Sequence, residues 1–341
     1  MRKRLLEYIG CPVCLSEFII ESKFEEEGHV IEGQLVCTQC EGKWQIVRGV
    51  PRLTPKAVEP SVRDTVRSFG FEWNYFCDKL KTYKEYREFL TLIPPITAAF
   101  FADKVVLDAG CGMGRLSAMS AAYGASYVIG VDLSDSVDAA FSHTKKFPNV
   151  DIMQCDLRAI PLRRRIDFAF SLGVLHHMPS GLEGFAALCK HLKSPGGIVG
   201  VWVYGKEGNV IMRAIQAVPR AVTTRLSGET NVRLSTFVTR WLEAFYRLVY
   251  MPLSSTLLHK FLFYKTYLDY FHTLSFHDRQ STVFDLMSTR IVRYYSRDEV
   301  ERWIRDTGLK TVRVYHRNSN SWSVVAAFAP VPSMLSRSNV S

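Results

Sequence analysis

The chain has 341 residues, of which 47% are hydrophobic, with eight cysteines and a formal net charge of +10. This length suits one large domain or two unequal ones, and the apolar fraction supports a sizeable core. No uncharged apolar run reaches 18 residues, so a membrane-spanning helix is not expected. Residues 1–7 are too charged for a secretory signal. We therefore expect a reduced, cytoplasmic protein whose paired cysteines bind metal rather than form disulfides.

The positive charge is concentrated in one part of the chain. Residues 203–317 contain 18 basic and 10 acidic residues, whereas residues 1–60 contain 8 and 9. A localised basic excess suits an anionic partner, such as a nucleic acid, a phospholipid surface or an acidic substrate. A solvated, arginine-rich helical surface explains the same numbers, so charge alone does not choose between them.

Two cysteine pairs near the start of the chain have the spacing of a metal site. Cys11 and Cys14 form one C-x-x-C pair, Cys37 and Cys40 form the other, and 22 residues separate the pairs. Four thiolates at these spacings fit tetrahedral zinc with a closed ligand shell, which is a structural site. A unit this small needs the metal to fold. The alternative is two coincidental pairs in a loop.

The sequence around the second pair, LVCTQCEGKWQIVRGVPRL at residues 35–53, resembles a known zinc-ribbon domain. That domain is a small activator subunit of tRNA and release-factor methyltransferases, and it also occurs fused in front of small-molecule methyltransferases. The resemblance covers roughly residues 8–54 and implies a structural zinc. It does not imply an activator role, because the ribbon here is already joined in one chain to residues 56–341.

An aromatic segment, SFGFEWNYF at residues 68–76, comes after a proline-punctuated linker. Some methyltransferases fused to this ribbon carry a similar segment, and in those it looks like a lid over the methionine end of the cofactor. So many aromatic side chains are costly to leave in water. Phe71 and Trp73 therefore either cover the cofactor pocket or belong to the core.

Residues 105–115, VVLDAGCGMGR, predict a buried strand that ends in a glycine-rich turn before a helix. Glycine lets the backbone turn sharply and approach a ligand closely. The first amides of the following helix face whatever lies over the turn. This is a nucleotide-type cradle at the carboxyl end of a first parallel strand.

Acidic residues follow the next two predicted strands. Asp132 ends the second strand, 24 residues after Asp108, and Asp156 ends the third. A carboxylate at the end of the second strand can accept both hydroxyls of an unphosphorylated ribose. Either aspartate taken alone also fits a helix cap.

The ordered motifs DAGCGMG, VDLS, CD, LHH and LKSPGG resemble the class I, Rossmann-like S-adenosylmethionine-dependent methyltransferases, in particular their small-molecule branch. The resemblance covers about residues 101–204 and implies S-adenosylmethionine as cofactor. NAD is the competing cofactor, but its fingerprint is G-x-G-x-x-G, whereas this turn reads G-C-G-M-G and continues with Arg115.

The resemblance also implies a set of cofactor-binding residues. That set is Asp108, Gly110, Cys111, Gly112, Gly114, Asp132, Leu133, Asp156 and Leu157. In this family the glycine turn lines the methionine and ribose parts of the cofactor. Asp108 would orient that turn and the ammonium group, Asp132 would hold the ribose, and Asp156 with the Leu157 amide would read the adenine edge.

The predicted fold is α/β: a seven-stranded, mostly parallel Rossmann-like sheet with an antiparallel C-terminal hairpin, a small N-terminal zinc ribbon and an inserted helical cap. The expected divisions are a zinc ribbon at 1–55, a linker with an aromatic helical lid at 56–100, the methyltransferase core at 101–204, the cap at 205–293, the end of the core at 294–330 and a disordered tail at 331–341.

The cap is expected over the carboxyl ends of the strands, where substrates bind in such folds. It is rich in aromatic residues: Trp241, Phe245, Tyr246, Tyr250, Phe261, Phe263, Tyr264, Tyr267, Tyr270, Phe271 and Phe276. Most of them are expected to join the cap to the sheet. The remainder could line a pocket for a flat or lipid-like substrate, and the interleaved charges also suit a peripheral membrane surface.

Methyl transfer from a sulfonium needs an aligned acceptor and, for oxygen or nitrogen acceptors, removal of a proton. His176 and His177 follow the fourth strand, and His177 is the candidate base; its alternative role is to shape the pocket. His272 and His277 are weaker candidates. The N-P-P-Y signature of amino-methyltransferases is missing after strand four, which argues against an adenine or glutamine amide acceptor.

The leading hypothesis is a methyltransferase acting on oxygen or carbon of a small aromatic, lipid-like or secondary-metabolite acceptor. The alternative is an rRNA or tRNA methyltransferase in which the ribbon and the basic cap hold nucleic acid. A scaffold that retains the fold without activity is disfavoured by the intact glycines and acids. The sequence carries no signal for the oligomeric state.

Overall fold

The computed structural model describes residues 1–54, 59–86, 88–254, 256, 262 and 264–328, without the side chains of 61 and 217–219. The predicted tail at 331–341, Phe261 and Phe263 lie outside the described residues. The strands are β1 (Phe18–Glu26), β2 (His29–Cys37), β3 (Lys43–Val47), β4 (Val50–Pro51), β5 (Val105–Ala109), β6 (Tyr127–Asp132), β7 (Val150–Gln154), β8 (Phe168–Leu172), β9 (Ile198–Tyr204), β10 (Lys310–Arg317) and β11 (Ser321–Ala327).

The helices alternate with the strands of the central sheet and then cluster before its last two strands. They are α1 (Pro60–Phe76), α2 (Arg115–Ala122), α3 (Val137–Thr144), α4 (Gly181–Cys189), α5 (Val210–Thr223), α6 (Gly228–Phe245), α7 (Met251–Ser254), α8 (Lys265–Thr273), α9 (Phe276–Ser288) and α10 (Arg297–Asp306). A π-helical turn, Tyr246–Tyr250, joins α6 to α7. Among the described residues, no helix combines the length and apolar composition needed to cross a bilayer.

The central sheet has seven strands in the order β10-β11-β9-β8-β5-β6-β7. Strands β5 to β9 are parallel, and β11 runs antiparallel between β9 and β10. This arrangement confirms the predicted Rossmann-like fold with its antiparallel hairpin. The strand order reverses between β5 and β8, so a crevice opens at the carboxyl ends of these two strands.

Local sequence explains where several helices begin. Ser296 and Glu299 form a capping box at the start of α10. Ser227 and Ser275 cap α6 and α9 in the same way, each accepting a hydrogen bond from a backbone amide of the first turn. Serine caps therefore mark the N-terminal ends of α6, α9 and α10.

The N-terminal strands β1 to β4 form a separate antiparallel sheet that covers one edge of the central sheet. Glu27 and Gly28 make the turn between β1 and β2, with positive φ values of 48° and 75°, as a two-residue hairpin turn requires. The Leu53 amide donates to the Gln154 carbonyl of β7 at 2.7 Å, and the rings of Tyr8 and Tyr127 lie 4.7 Å apart. Packing the small sheet here protects β7 as an edge strand.

Helices α5 to α9 form the inserted cap, and α1 packs beside it. Helix α9 contacts α5, α6 and α1. Phe76 of α1, Val232 of α6 and Phe284 of α9 belong to one buried cluster with Met113 of the glycine turn. This packing holds α1 and the cap over the crevice at the end of β5.

Candidate active site

The glycine turn after β5 has a backbone conformation that would be strained for residues other than glycine. Gly110, Gly112 and Gly114 have φ values of +85°, +52° and +77°. A Cβ on Gly110 would lie 2.3 Å from Val174, and one on Gly112 would lie 3.1 Å from the Trp73 indole. The amides of Gly110 and Cys111 both donate to the Val131 carbonyl, at 2.7 and 2.9 Å. The turn is therefore fixed against β6 and fits closely under its neighbours.

Asp132, at the end of β6, is held in place by hydrogen bonds from backbone and side chain. Its Oδ2 accepts from the Gly112 amide at 3.0 Å, and its Oδ1 accepts from the amide and hydroxyl of Ser134 at 2.8 and 2.7 Å. Burial raises the pKa of Asp132 above its usual range. The carboxylate is thus oriented before any ligand arrives.

Asp156 caps a short 3₁₀ turn, Leu157–Ala159, after β7. Its Oδ1 accepts from the Arg158 amide at 2.8 Å, and its Oδ2 lies 2.7 Å from the Arg158 guanidinium. Asp156 therefore does act as a helix N-cap, the alternative role that the sequence analysis allowed for it, and it also forms an ion pair with Arg158. Leu157 opens the turn, so its amide has no partner within that turn.

Asp108 lies behind the glycine turn. Its Oδ2 accepts a hydrogen bond from the Ser117 hydroxyl at 2.6 Å, and it is 2% exposed. Burial raises the pKa of Asp108 to about 7. Among the described residues that line the two cavities over the turn, Asp108 does not occur. Its contacts connect β5 to α2.

Two cavities meet over the glycine turn. The smaller, of about 140 Å³, is lined by the residues that follow β6, β7 and β8, which include Asp132, Leu133, Asp156, Leu157 and His177. The larger, of about 300 Å³, extends from Cys111, Gly112 and Met113 to the cap. Both are lined by Phe69, Trp73, Gly110, Leu172 and Gly173, so one cavity begins where the other ends.

The aromatic segment in α1 contributes to the roof of these cavities. Phe69 and Trp73 line both cavities, and Trp73 lies directly over Gly112. Phe71 instead packs on the Phe284 ring, with centroids 5.9 Å apart, in the core between α1 and the cap. The sequence analysis left open whether Phe71 and Trp73 cover the cofactor pocket or belong to the core. In the structure Trp73 covers the cavity and Phe71 packs in the core. Phe69 also lines both cavities, which the sequence analysis did not predict.

His177 lines the smaller cavity, next to Asp285 of the larger one. Its Nδ1 donates to the Ile291 carbonyl at 2.8 Å, because a carbonyl can only accept. In the neutral ring Nε2 therefore carries the lone pair, 3.7 Å from Asp285 Oδ1. Burial lowers the pKa of His177, and the Asp285 charge opposes that shift.

His176, the other histidine of this pair, is built into the wall. Its ring stacks on Tyr204 with centroids 3.9 Å apart. Burial holds the pKa of His176 well below its usual range, and its ring nitrogens have no hydrogen-bond partner among the described residues. His272 stacks on Tyr246 at 3.5 Å, and neither His272 nor His277 belongs to the described lining of either cavity.

Glu72 and Asp285 bring two further acids to the larger cavity, and sequence reasoning missed both. Glu72 Oε1 accepts from the Ser281 hydroxyl at 2.7 Å, while its Oε2 is buried without a hydrogen-bond partner in the described part of the chain. Burial, with the nearby Asp285 charge, raises the pKa of Glu72 well above its usual range. The one available signal was a glutamate in the middle of an aromatic segment.

The wall of the larger cavity is rich in tyrosine and also carries two arginines. The tyrosines are Tyr86, Tyr204, Tyr264, Tyr267, Tyr270 and Tyr294. The Arg115 guanidinium lies 3.9 Å from the Tyr86 ring centre and 3.6 Å from Asp278. Arg317 is 8% exposed, lies 4.8 Å over Tyr270, and has no carboxylate within 4.0 Å among the described residues. The cavity therefore offers both flat apolar faces and buried positive charge.

The four N-terminal cysteines converge in the small antiparallel sheet. Their sulfurs lie within 4.8 Å of one another, with 3.5 Å between Cys11 and Cys40 and 3.4 Å between Cys14 and Cys37. Zn–S bonds of about 2.3 Å put tetrahedral ligands about 3.8 Å apart. The Val13 amide donates to Cys11 Sγ at 3.3 Å. This donor set and spacing fit a structural zinc.

Comparison with known proteins agrees with this geometry. A family model described as a methyltransferase domain matches residues 106–197. The chain carries a class I S-adenosylmethionine-dependent methyltransferase domain. The match spans the glycine turn, the strand-end acids and His177 in one segment.

The relatives that match the methyltransferase domain have names that refer to different substrates. A tRNA U34 carboxymethyltransferase from Pseudoalteromonas translucida is 32% identical over 114 residues, 32% of this chain and 35% of that protein. A trans-aconitate 2-methyltransferase from an Azoarcus species is 29% identical over 143 residues, 42% of this chain and 53% of that protein. The chain thus spans only a third to a half of these relatives' lengths.

Among solved structures, magnesium protoporphyrin IX methyltransferase from Synechocystis, with bound S-adenosylhomocysteine, is similar to this chain. It is 14% identical, with a TM-score of 0.40 over 80% of this chain and 89% of that one.

Proposed function

We propose that the chain transfers a methyl group from S-adenosylmethionine to oxygen or carbon of a small aromatic, lipid-like or secondary-metabolite acceptor. The observation that carries this proposal is the tyrosine-lined cavity of about 300 Å³ that adjoins the glycine turn. Concave, mostly apolar sites with a few convergent polar groups are typical of small-molecule binding. Buried Arg317 suits an acceptor with an acidic group.

The donor would occupy the smaller cavity and the glycine turn. Asp132 would accept the ribose hydroxyls, with Leu133 beside it, because its carboxylate is already oriented at the end of β6. The Leu157 amide and Asp156 would meet the adenine edge, provided that Arg158 shares the Asp156 oxygens. Gly110, Cys111, Gly112 and Gly114 would line the remainder, and Asp108 would support them from behind. S-adenosylmethionine supplies an activated methyl group on a sulfonium.

His177 is the proposed base for an acceptor hydroxyl. Its Nε2 carries the lone pair, and the ring lines the smaller cavity beside Asp285 of the larger one. A proton taken up there would face Asp285 at 3.7 Å, and that charge would stabilise the imidazolium. General-base assistance of this kind contributes about 10²–10⁴ in rate.

Glu72 is proposed to act as a neutral carboxylic acid. Burial and the nearby Asp285 charge raise the pKa of Glu72 well above its usual range, which favours the protonated carboxyl group. The buried oxygen without a partner then offers a hydrogen bond to the acceptor.

The cysteine cluster is proposed to hold one structural zinc through Cys11, Cys14, Cys37 and Cys40. The proposed divisions of the chain are those expected from the sequence: ribbon 1–55, linker and lid 56–100, core 101–204, cap 205–293 and end of the core 294–330. Zinc would fix the ribbon against the β7 edge, away from the methyl-transfer site.

RNA methylation is the second candidate function. The similarity to a tRNA carboxymethyltransferase favours it, as does the basic excess in residues 203–317. The ribbon, however, has 8 basic against 9 acidic residues in positions 1–60 and so offers no positive surface for a phosphate backbone.

The two candidates separate in one experiment. The purified protein is incubated with methyl-labelled S-adenosylmethionine and either the small-molecule fraction or the total RNA of a cell extract. We expect label in the small-molecule fraction, unaffected by RNase and lost with Asp132→Ala. Label that appears only in RNA and disappears with RNase would favour the second function.

A further inference from the structure

Helix α6 has its apolar side turned to solvent. Apart from Val232, the buried residues of α6 are polar: Asn231, Ser235 and Thr239 are 2%, 0% and 1% exposed. On the opposite face, Phe237 and Trp241 are 67% and 57% exposed. An amphipathic helix of a monomeric globular protein shows the reverse pattern, with its apolar stripe facing the core.

Exposed apolar residues also occur in the π-helical turn after α6 and on α5, the helix that precedes α6 in the chain. Leu248, in the π-helical turn, is 77% exposed, and the rings of Trp241 and Phe245 stack 5.6 Å apart on the surface. On α5, Val210, Ile215 and Val222 are 71%, 56% and 58% exposed. We call these residues of α5, α6 and the π-helical turn the cap apolar surface. A patch of this kind marks an interaction site.

The charges around the cap apolar surface are almost all positive. Residues 210–254 contain six arginines, two glutamates and no lysine or aspartate. Arg233 and Arg240 are exposed on α6. Glu243 is already neutralised by Arg247 at 2.7 Å and by Arg279 at 3.5 Å. The patch therefore combines exposed Trp, Phe and Leu with Arg233 and Arg240, which form no ion pair with the residues that the structure describes.

The cap apolar surface also lies on the outer side of the acceptor cavity. Met212 and Gln216 of α5 line that cavity, while Ile211 and Ile215 of the same helix are each 56% exposed. One face of α5 thus meets solvent and the other meets the proposed acceptor.

We propose that the cap apolar surface docks on an anionic phospholipid surface, with α5 and α6 lying in the plane of the headgroups. Helices with an aromatic and aliphatic face flanked by basic residues bind at this depth. Arginine adds electrostatic attraction to anionic lipids. Symmetric self-association through the patch would bring the exposed arginines of two copies together, which disfavours a second copy as occupant.

The test is sedimentation of the full chain with vesicles of phosphatidylglycerol and phosphatidylcholine in equal parts, compared with vesicles of phosphatidylcholine alone. We expect binding to the anionic vesicles, weakened by salt. The double variant Phe237→Glu with Leu248→Glu should reduce that binding at least about 30-fold. Arg233→Gln and Arg240→Gln should each reduce it about fivefold.

Ile19→Glu is the matched control, because Ile19 is 58% exposed on the ribbon and far from α6 in the sequence. It should bind vesicles like the wild type. Retained affinity for S-adenosylhomocysteine, measured by calorimetry, shows that each variant is folded. Equal vesicle binding by wild type and by Phe237→Glu with Leu248→Glu would overturn the proposal. So would a wild-type dimer that ignores vesicles and becomes monomeric in that variant.

Discussion

The two sides of the proposed active site are built in different ways. On the donor side, the ligand-facing groups stand at the ends of consecutive parallel strands and are fixed by backbone hydrogen bonds, as with Asp132 and the Gly112 amide. On the acceptor side, they are long side chains from distant parts of the chain, such as Glu72 and Asp285. Donor binding should therefore depend on backbone geometry, whereas acceptor chemistry should depend on protonation states in the cap.

The largest expected effect removes the proposed base, His177, which lines the smaller cavity beside Asp285 of the larger one. His177→Ala should lower the turnover number about 10²–10⁴-fold, because the proposed base is lost. The affinity for S-adenosylhomocysteine should change by less than about fivefold. Turnover of methyl-labelled donor with the small-molecule fraction, alongside calorimetry, measures both.

His176→Leu is the control for this change. His176 is a wall residue whose ring nitrogens have no hydrogen-bond partner in the described part of the chain, so its loss should lower turnover by less than about tenfold. Equal losses in the two variants would remove His177 from the proposed role.

The next effect breaks the donor side instead. Gly110→Ala would place a Cβ 2.3 Å from Val174 at a φ of +85°, so the turn must shift. We expect the affinity for S-adenosylhomocysteine to fall about 100-fold. Gly124→Ala carries similar backbone strain at a φ of +92°, with its nearest contact at 3.7 Å, and should bind normally.

A third substitution, Asp285→Asn, tests whether the Asp285 charge raises the pKa of His177. Asp285 opposes the effect of burial on the pKa of His177, so Asp285→Asn should lower that pKa further. The pKa of His177 is expected to fall because the Asp285 carboxylate, which the substitution removes, stabilises the protonated imidazolium ring. The titration of the His177 ring followed by NMR measures it, and an unchanged or higher pKa would contradict the pairing.

The smallest effect concerns Asp108, behind the donor turn. Its pKa of about 7 exceeds that of an unfolded aspartate, so the unfolded chain loses its proton first as the pH rises. The free energy of unfolding should therefore fall between about pH 4 and pH 7 and then level off. Asp108→Asn should remove this decline and add about 1–2 kcal/mol at pH 8. Denaturant unfolding at several pH values tests it, and parallel pH profiles would count against it.

The donor side was largely predictable because its residues lie in one ordered segment. The glycine turn, Asp132 and Asp156 each follow a buried apolar strand, and strand ends of a parallel sheet meet at one edge. The cysteine cluster was predictable for a similar reason, since the C-x-x-C spacing itself fixes the ligand geometry.

The acceptor side was not predictable in the same way. Glu72, Asp285 and Arg317 meet only because α1, α9 and β10 converge, and no local pattern announces such long-range contacts. The aromatic residues of the cap show the same limit. Tyr267 and Tyr270 line the cavity, whereas Trp241 and Phe245 face solvent, although all four have helical spacing.

The most direct test of the account is calorimetric titration of S-adenosylhomocysteine into the wild-type chain and into Asp132→Ala. The account predicts one site per chain in the wild type. It also predicts an affinity at least about 30-fold lower in the variant, because charge-assisted hydrogen bonds to the ribose are lost. A folded wild type that shows no binding, or a variant that binds with equal affinity, would contradict the account.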